Sequence, residues 1–137
     1  MKKIIVEEFI KATNSRNWER VLSLTHSNFI RHSSSIPNEI HGNHSLVEFH
    51  KNELKTFPDL DEKIEFLIEE NDLVAARIKF TGTQKGKLGK LAPSNKILSA
   101  SFNCFFKIVD DKISDTWVEY DNLNGLMQLG HINADLI

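Results

Sequence analysis

"ILSASFNCFFKIVDDKISDTWVEYD" (residues 97–121) decides the fold. In its first half Leu98, Ala100, Phe102, Cys104, Phe106 and Ile108 fall on one side, and Ser99, Ser101, Asn103, Phe105 and Lys107 on the other. Successive side chains of a strand point to opposite faces, so this alternation predicts a long strand with one buried face. "VDDK" (109–112) reads as a hairpin turn, and Ile113 to Asp121 as the return strand. The outer row of Ser99, Ser101, Asn103 and Phe105 is weakly polar, with charge only at Lys107. Such a flat face suits a two-fold contact with a second copy.

The same period holds upstream. Ile64, Phe66 and Ile68 alternate with Lys63, Glu65, Leu67 and Glu69. "END" (70–72) turns the chain, and Val74, Ala76, Ile78 and Phe80 alternate with Ala75, Arg77 and Lys79. Before Leu60 the period is helical. Ile5, Phe9 and Ala12 share one helix face, Asn14 to Asn17 interrupt it, and Trp18, Val21, Leu22 and Thr25 form a second short stripe. "NFIRH" (28–32) predicts a short strand, and "SIPNEIHGNH" a loop. Ser45 with Glu48 reads as a capping box opening a third helix, whose face holds Val47, Leu54 and Phe57. Pro58 ends it. Leu123, Leu126 and Met127 suggest a short closing helix.

Helices first and a meander of strands afterwards make an α+β domain spanning 1–137. Long strands with one apolar face curl around their helical cover. The expected shape is a cone-shaped, curved antiparallel sheet covered by the N-terminal helices and enclosing a pocket, a common place for a small-molecule site.

The chain of 137 residues carries a net charge of −2, with scattered basic residues. That excludes an electrostatic footprint for nucleic acid or for anionic lipid. "MKKIIVEEFI" begins like a leader, but Glu7 and Glu8 stop its apolar run. No segment approaches a membrane-spanning length. Cys104 is the sole cysteine, so no internal disulfide forms and a cytoplasmic location is expected.

Candidate chemistry centres on Asp121. Two-residue spacing places it on one face with Glu119, Trp117 and Ile113. A carboxylate beside an indole in an apolar cavity is desolvated, and its raised pKa suits acid/base work. The other use of Asp121 is to cap the closing helix. Gln84 extends the apolar row after Phe80 and Gly82. It needs a polar partner, which is a ligand carbonyl or a neighbouring protein group. His50, in the stripe of the third helix, and His32, on the first strand, either face the pocket or are satisfied at the core margin. Trp18, Phe57, Phe102, Phe106 and Trp117 form core or pocket wall. His41 and His44 sit in a loop without ligand spacing, so no metal is expected. "GTQKGKLGK" joins two strands and opens no helix, so no nucleotide or flavin is expected either.

Several stretches resemble the SnoaL-like polyketide cyclases, a family of the nuclear-transport-factor-2-like superfamily. They are "FPDL" (57–60), "END" (70–72), "GTQKG" (82–86), "PSNK" (93–96), "WVEYD" (117–121) and "QLG" (128–130), in order over roughly residues 40–130. Gln84 stands where the family commonly has His, and Asn95 where it has Gly. Gln cannot exchange a proton near neutral pH, though it can still hydrogen-bond. The resemblance implies the cone fold and a small apolar carbonyl ligand. It also implies a cofactor-independent aldol-type cyclisation or a related isomerisation or hydrolysis. Asp121 would be the acid/base, with Gln84 and His32 as further catalytic groups. Trp117, Phe102, Phe106, His50, Phe57 and Trp18 would contact the ligand. It implies a homodimer through the outer sheet face as well. A non-catalytic binding module and a purely structural partner protein with a collapsed cavity are the alternatives.

Overall fold

The computed structural model describes residues 1–136. Two helices, α1 (Lys2–Asn14) and α2 (Trp18–Leu24), open the chain. Then come β1 (Thr25–His32), β2 (Ile40–His41) and α3 (Asn43–Thr56). Four long strands follow: β3 (Asp61–Glu70), β4 (Leu73–Thr83), β5 (Ile97–Val109) and β6 (Lys112–Glu119). The short helix α4 (Asn122–Gln128) comes after them, and a 3-10 turn covers Ala134–Leu136.

The periodic stripes do what their spacing predicts. α1 buries Val6, Phe9, Ile10 and Ala12. Arg16 sits at φ 58° between the first two helices. The Asn17 side chain then caps α2 by accepting from the Arg20 amide. α3 starts earlier than the capping-box reading has it. Gly42, at φ +89°, precedes its first residue and no side chain caps it. Asn43 instead donates from its amide to the carbonyls of Leu22 and Thr25, which ties the start of α3 to the α2–β1 corner.

The sheet has six strands in the order β2-β1-β6-β5-β4-β3, curved and unclosed. β3 to β6 form the antiparallel meander. β1 lies parallel to β6, the one parallel pairing among the described residues. Parallel neighbours need a long connection, and here α3 and the four strands β2 to β5 supply it. The helices cover the inner face. Val6, Phe9, Val21, Phe29, Leu46, Ile78, Phe106 and Ile113 are among the residues of the main core. Full burial of a side chain such as Phe29 or Ile113 contributes about 2–3 kcal/mol. A second cluster of Phe57, Leu60 and Leu129 closes the opposite end.

Bulges correct the expected faces in two places. Ile64 pairs with Ile78 but Phe66 with Arg77, so Glu65 is an extra residue in β3. An extra residue flips every later side chain to the other face. Leu67 therefore joins Ile64 against the core, while Phe66 and Ile68 are 54% and 60% exposed on the outer face. In β6, Ile113 pairs with Ile108 but Asp115 with Lys107, so Ser114 is extra. Beyond it Thr116 and Val118 point inward, and Trp117 points outward, 36% exposed.

Candidate active site

Curvature leaves a cavity of about 190 Å³ between the sheet and the helices. Its walls are mostly apolar: Phe9 and Ile10 from α1, Phe29 from β1, Leu46 and Phe49 from α3, Ile78 and Phe80 from β4, Phe102 and Phe106 from β5, and Leu126 and Leu129 at the α4 end. Polar side chains interrupt them, among them Arg31, His50, Glu53, Glu62 and Tyr120. His50, Glu53 and Glu62 also line a small side pocket of about 10 Å³ against Thr13 and Trp18.

Period explains how each polar group comes to face inward. Arg31 follows Phe29 by two on β1, and Glu62 lies two before Ile64 on β3. Tyr120 follows Val118 by two, and Glu53 follows His50 by three on α3. Each is a polar residue extending an apolar row. The same signal in the sequence marks Gln84 and His50.

The electrostatics of this end are unusual. Arg31 is only 7% exposed, and its guanidinium lies over the Phe49 ring, 4.5 Å from the centroid. Its Nη1 is buried without a hydrogen-bond partner among the described residues. His50 Nδ1 lies 3.1 Å from Glu53 Oε1. An ionised carboxylate only accepts, so Nδ1 carries the hydrogen, and in the neutral ring Nε2 is left as an acceptor. That Nε2 is also buried and unpartnered among the described residues. The imidazole is held between aromatic rings, parallel to Trp18 at 6.3 Å and edge-on to Phe9 at 6.2 Å. Burial raises the Glu62 carboxyl from 4.5 to about 7; nearby Glu53 adds to the rise, and His50 and Arg31 oppose it. Burial also raises the Tyr120 phenol, which keeps it protonated.

Asp121 stands at the cavity rim as the N-cap of α4, and its Oδ1 accepts from the Asn124 amide at 2.9 Å. Its face is not shared with Trp117: that indole points outward, and β6 ends at Glu119, so strand alternation does not carry on to Asp121. Phe57, Phe102, Phe106 and His50 border the cavity. Four other expected residues do not. Trp18 lines the side pocket. Gln84 is fully buried outside the cavity, donating to the carbonyls of Gly86 (3.0 Å) and Ala92 (3.1 Å) and bonded through Oε1 to His131 Nε2 (2.7 Å). Buried away from the cavity, with both amide hydrogens donated, it does not meet a ligand there. His32 and Trp117 stack on the outer face at 4.9 Å. His32 Nε2 meets Asp115 Oδ2 at 2.9 Å and its Nδ1 meets Glu39. Cys104 is buried on the apolar face, and burial raises its thiol.

The stretches behind the family resemblance serve mainly as fasteners. Phe57 packs on Gly82, where an added Cβ would lie 3.0 Å from it. Asp59 accepts from the Thr83 amide and hydroxyl, both at 2.7 Å, and these bonds lower its pKa. A Cβ on Gly86 would sit 2.1 Å from the Lys55 carbonyl oxygen, so only glycine fits there. Asn95 adopts φ 60°, consistent with its standing in for glycine. Gln128 pairs with both backbone groups of Ser99, and Leu129 is buried beside Phe57 and Leu60.

The sequence matches the SnoaL-like polyketide cyclase family over residues 3–129, and the chain belongs to that family. Solved structures share the frame. IdmH from Streptomyces antibioticus superposes with a TM-score of 0.84 at 20% identity, over 95% of this chain and 99% of that one. TsrD from Streptomyces laurentii gives 0.83 at 23% identity, over 95% of both chains. A Catenulispora acidiphila protein with a ketosteroid isomerase-like fold, solved with trimethylamine, gives 0.79 at 14% identity over 92% of both. At these identities the likeness defines the fold alone. No curated protein matches the sequence. Among the described residues, no helix is long and apolar enough to cross a membrane.

Proposed function

We propose that the cone holds a small, largely apolar carbonyl compound and that the polar end of its cavity performs cofactor-independent acid–base chemistry of the cyclase or isomerase kind. The observation that carries this reading is an aromatic-walled cavity with buried, unpartnered polar atoms gathered at one end. Apolar walls favour the ligand's hydrocarbon body, and a few convergent polar groups orient its oxygen. Glu62, lining the same cavity with a pKa near neutrality, is a carboxyl that can return a proton to a developing oxyanion at working pH. Asp121, engaged as a helix cap, is not. Titration with 2-tetralone, followed by NMR, tests the binding. Resonances of Phe102, Phe106 and Leu126 should shift together and saturate, and a flat response contradicts the reading.

Non-catalytic binding is the second reading. It is favoured by Gln84, which stands at the family's histidine position and is consumed in holding the 84–96 loop.

We also propose that the protein pairs with a second copy through the outer sheet face. Register places Ile68, Ala75, Phe105 and Trp117 in one row across β3, β4, β5 and β6. Phe66 lies beside this row, and Phe105 is 50% exposed. Aromatic groups at the centre of such a face are the usual anchors of an interface.

A further inference from the structure

We infer that His50, oriented by Glu53, is the base that takes a proton from the carbon beside a bound ligand's carbonyl, and that the Arg31 guanidinium receives the oxygen of the enolate so formed. This rests on the reading of the cavity as a site for carbonyl compounds. The Glu53–His50 contact has the form of a base fixed by a carboxylate. Glu53 accepts the hydrogen bond from Nδ1–H, so the lone pair of the neutral ring is on Nε2, the nitrogen left unpartnered among the described residues. A bare acceptor of this kind, buried among Phe9, Trp18 and Phe49, is costly unless something uses it. Arg31 Nη1 is the complementary case, a buried donor with nothing to donate to. Base and donor face one cavity from opposite layers, α3 and β1. Enolate formation needs both at once, since the negative charge develops on oxygen while the proton leaves carbon.

The step balances without a co-reactant. The C–H pair becomes the enolate double bond, the carbonyl π pair moves onto oxygen beside Arg31, and the proton goes to Nε2. The imidazolium then returns it to the same or another carbon. Alternatively, the enolate carbon attacks a second carbonyl of the ligand, and the resulting alkoxide takes the proton from His50 or Glu62. The charged and titratable groups around His50 are Glu53 on α3, Glu62 on β3, Arg31 on β1 and Tyr120 after β6. His50, Glu53 and Glu62 border the side pocket too.

Exchange of the α-hydrogens of 2-tetralone in D₂O, followed by proton NMR with the full chain, reads the step directly. The protein should accelerate exchange over buffer. His50→Gln should lose about 100-fold, within the range of general-base effects, and Arg31→Met about 100-fold. Glu53→Gln should lose about 10-fold, as expected for an orienting carboxylate. It should also move the pH profile, which loss of packing alone would not do. Glu53 is only partly buried, so this variant tests the dyad even if His50→Gln does not fold. If 2-tetralone shifts the cavity resonances but exchanges no faster than in buffer, or exchanges equally fast with His50→Gln, the inference fails and the cavity reading stands. If no cavity resonance moves, both fail.

Discussion

Two ionisable side chains, Glu62 and His32, give opposite pH signatures because their surroundings differ. Glu62 has burial against it and no cation bonded to it, so its folded pKa is raised from 4.5 to about 7. The folded state then holds a proton that the unfolded chain releases, so stability falls as pH rises from about 4.5 to about 7. Glu62→Gln should flatten this fall: thermal melts of the variant and parent should converge near pH 4 and separate, in favour of the variant, near pH 8. A parent advantage at pH 8 would contradict the burial assigned to Glu62. For His32, burial lowers the pKa but the bonds to Asp115 and Glu39 outweigh it, leaving it above 6.5. A raised histidine contributes stability that is complete below its unfolded pKa of 6.5 and is lost as pH climbs through the folded value. His32→Gln should therefore cost most below pH 6 and least at alkaline pH, as a melt series would record.

Among the elements, α4 turns on a single residue at its start. Asp121→Ala removes the side-chain acceptor for the Asn124 amide and should cost about 1 kcal/mol, read by chemical denaturation. Exchange of 2-tetralone by the folded variant should stay within a few-fold of the parent. A loss of 100-fold would return the chemistry to Asp121. The elements also show what the sequence made legible. β4 and β5 hold their period from end to end, so the inward row from Val74 to Gln84 and from Leu98 to Ile108 could be read directly. β3 and β6 each contain one extra residue, Glu65 and Ser114, and neither position carries a glycine or proline to announce it. Uninterrupted alternation therefore put Trp117 inside and Leu67 outside. The start of α3 was misread for a related reason. Ser45 and Glu48 have the spacing of a capping box, but the helix starts three residues earlier, with Gly42 as its cap and tertiary bonds from Asn43. The polar end of the cavity was missed because Arg31, Glu53 and Glu62 look like ordinary surface charges until curvature turns their faces inward.

For the whole molecule, the family motifs and the cavity chemistry belong to different parts of the frame. The stretches "FPDL", "GTQKG" and "QLG" that carry the family resemblance lock α3, β4 and α4 together at one end, whereas Arg31, His50, Glu53 and Glu62 gather on β1, α3 and β3. Such a frame can keep its fasteners while its pocket residues change, which is how one fold hosts several chemistries. On the outer face, Phe105→Asp places a charge at the centre of the apolar row. It should turn a dimer into a monomer in sedimentation velocity, and a parent that sediments as a monomer at every concentration would contradict the pairing. The central claim is that the ligand's oxygen is received at the Arg31–His50 end of the hollow. A crystal structure with 2-tetralone bound tests it most directly: the account predicts the rings among Phe102, Phe106 and Leu126 with the oxygen within hydrogen-bonding distance of Arg31, and a ligand whose oxygen turns instead to Asp121 at the rim, or a hollow filled by its own side chains, would contradict it.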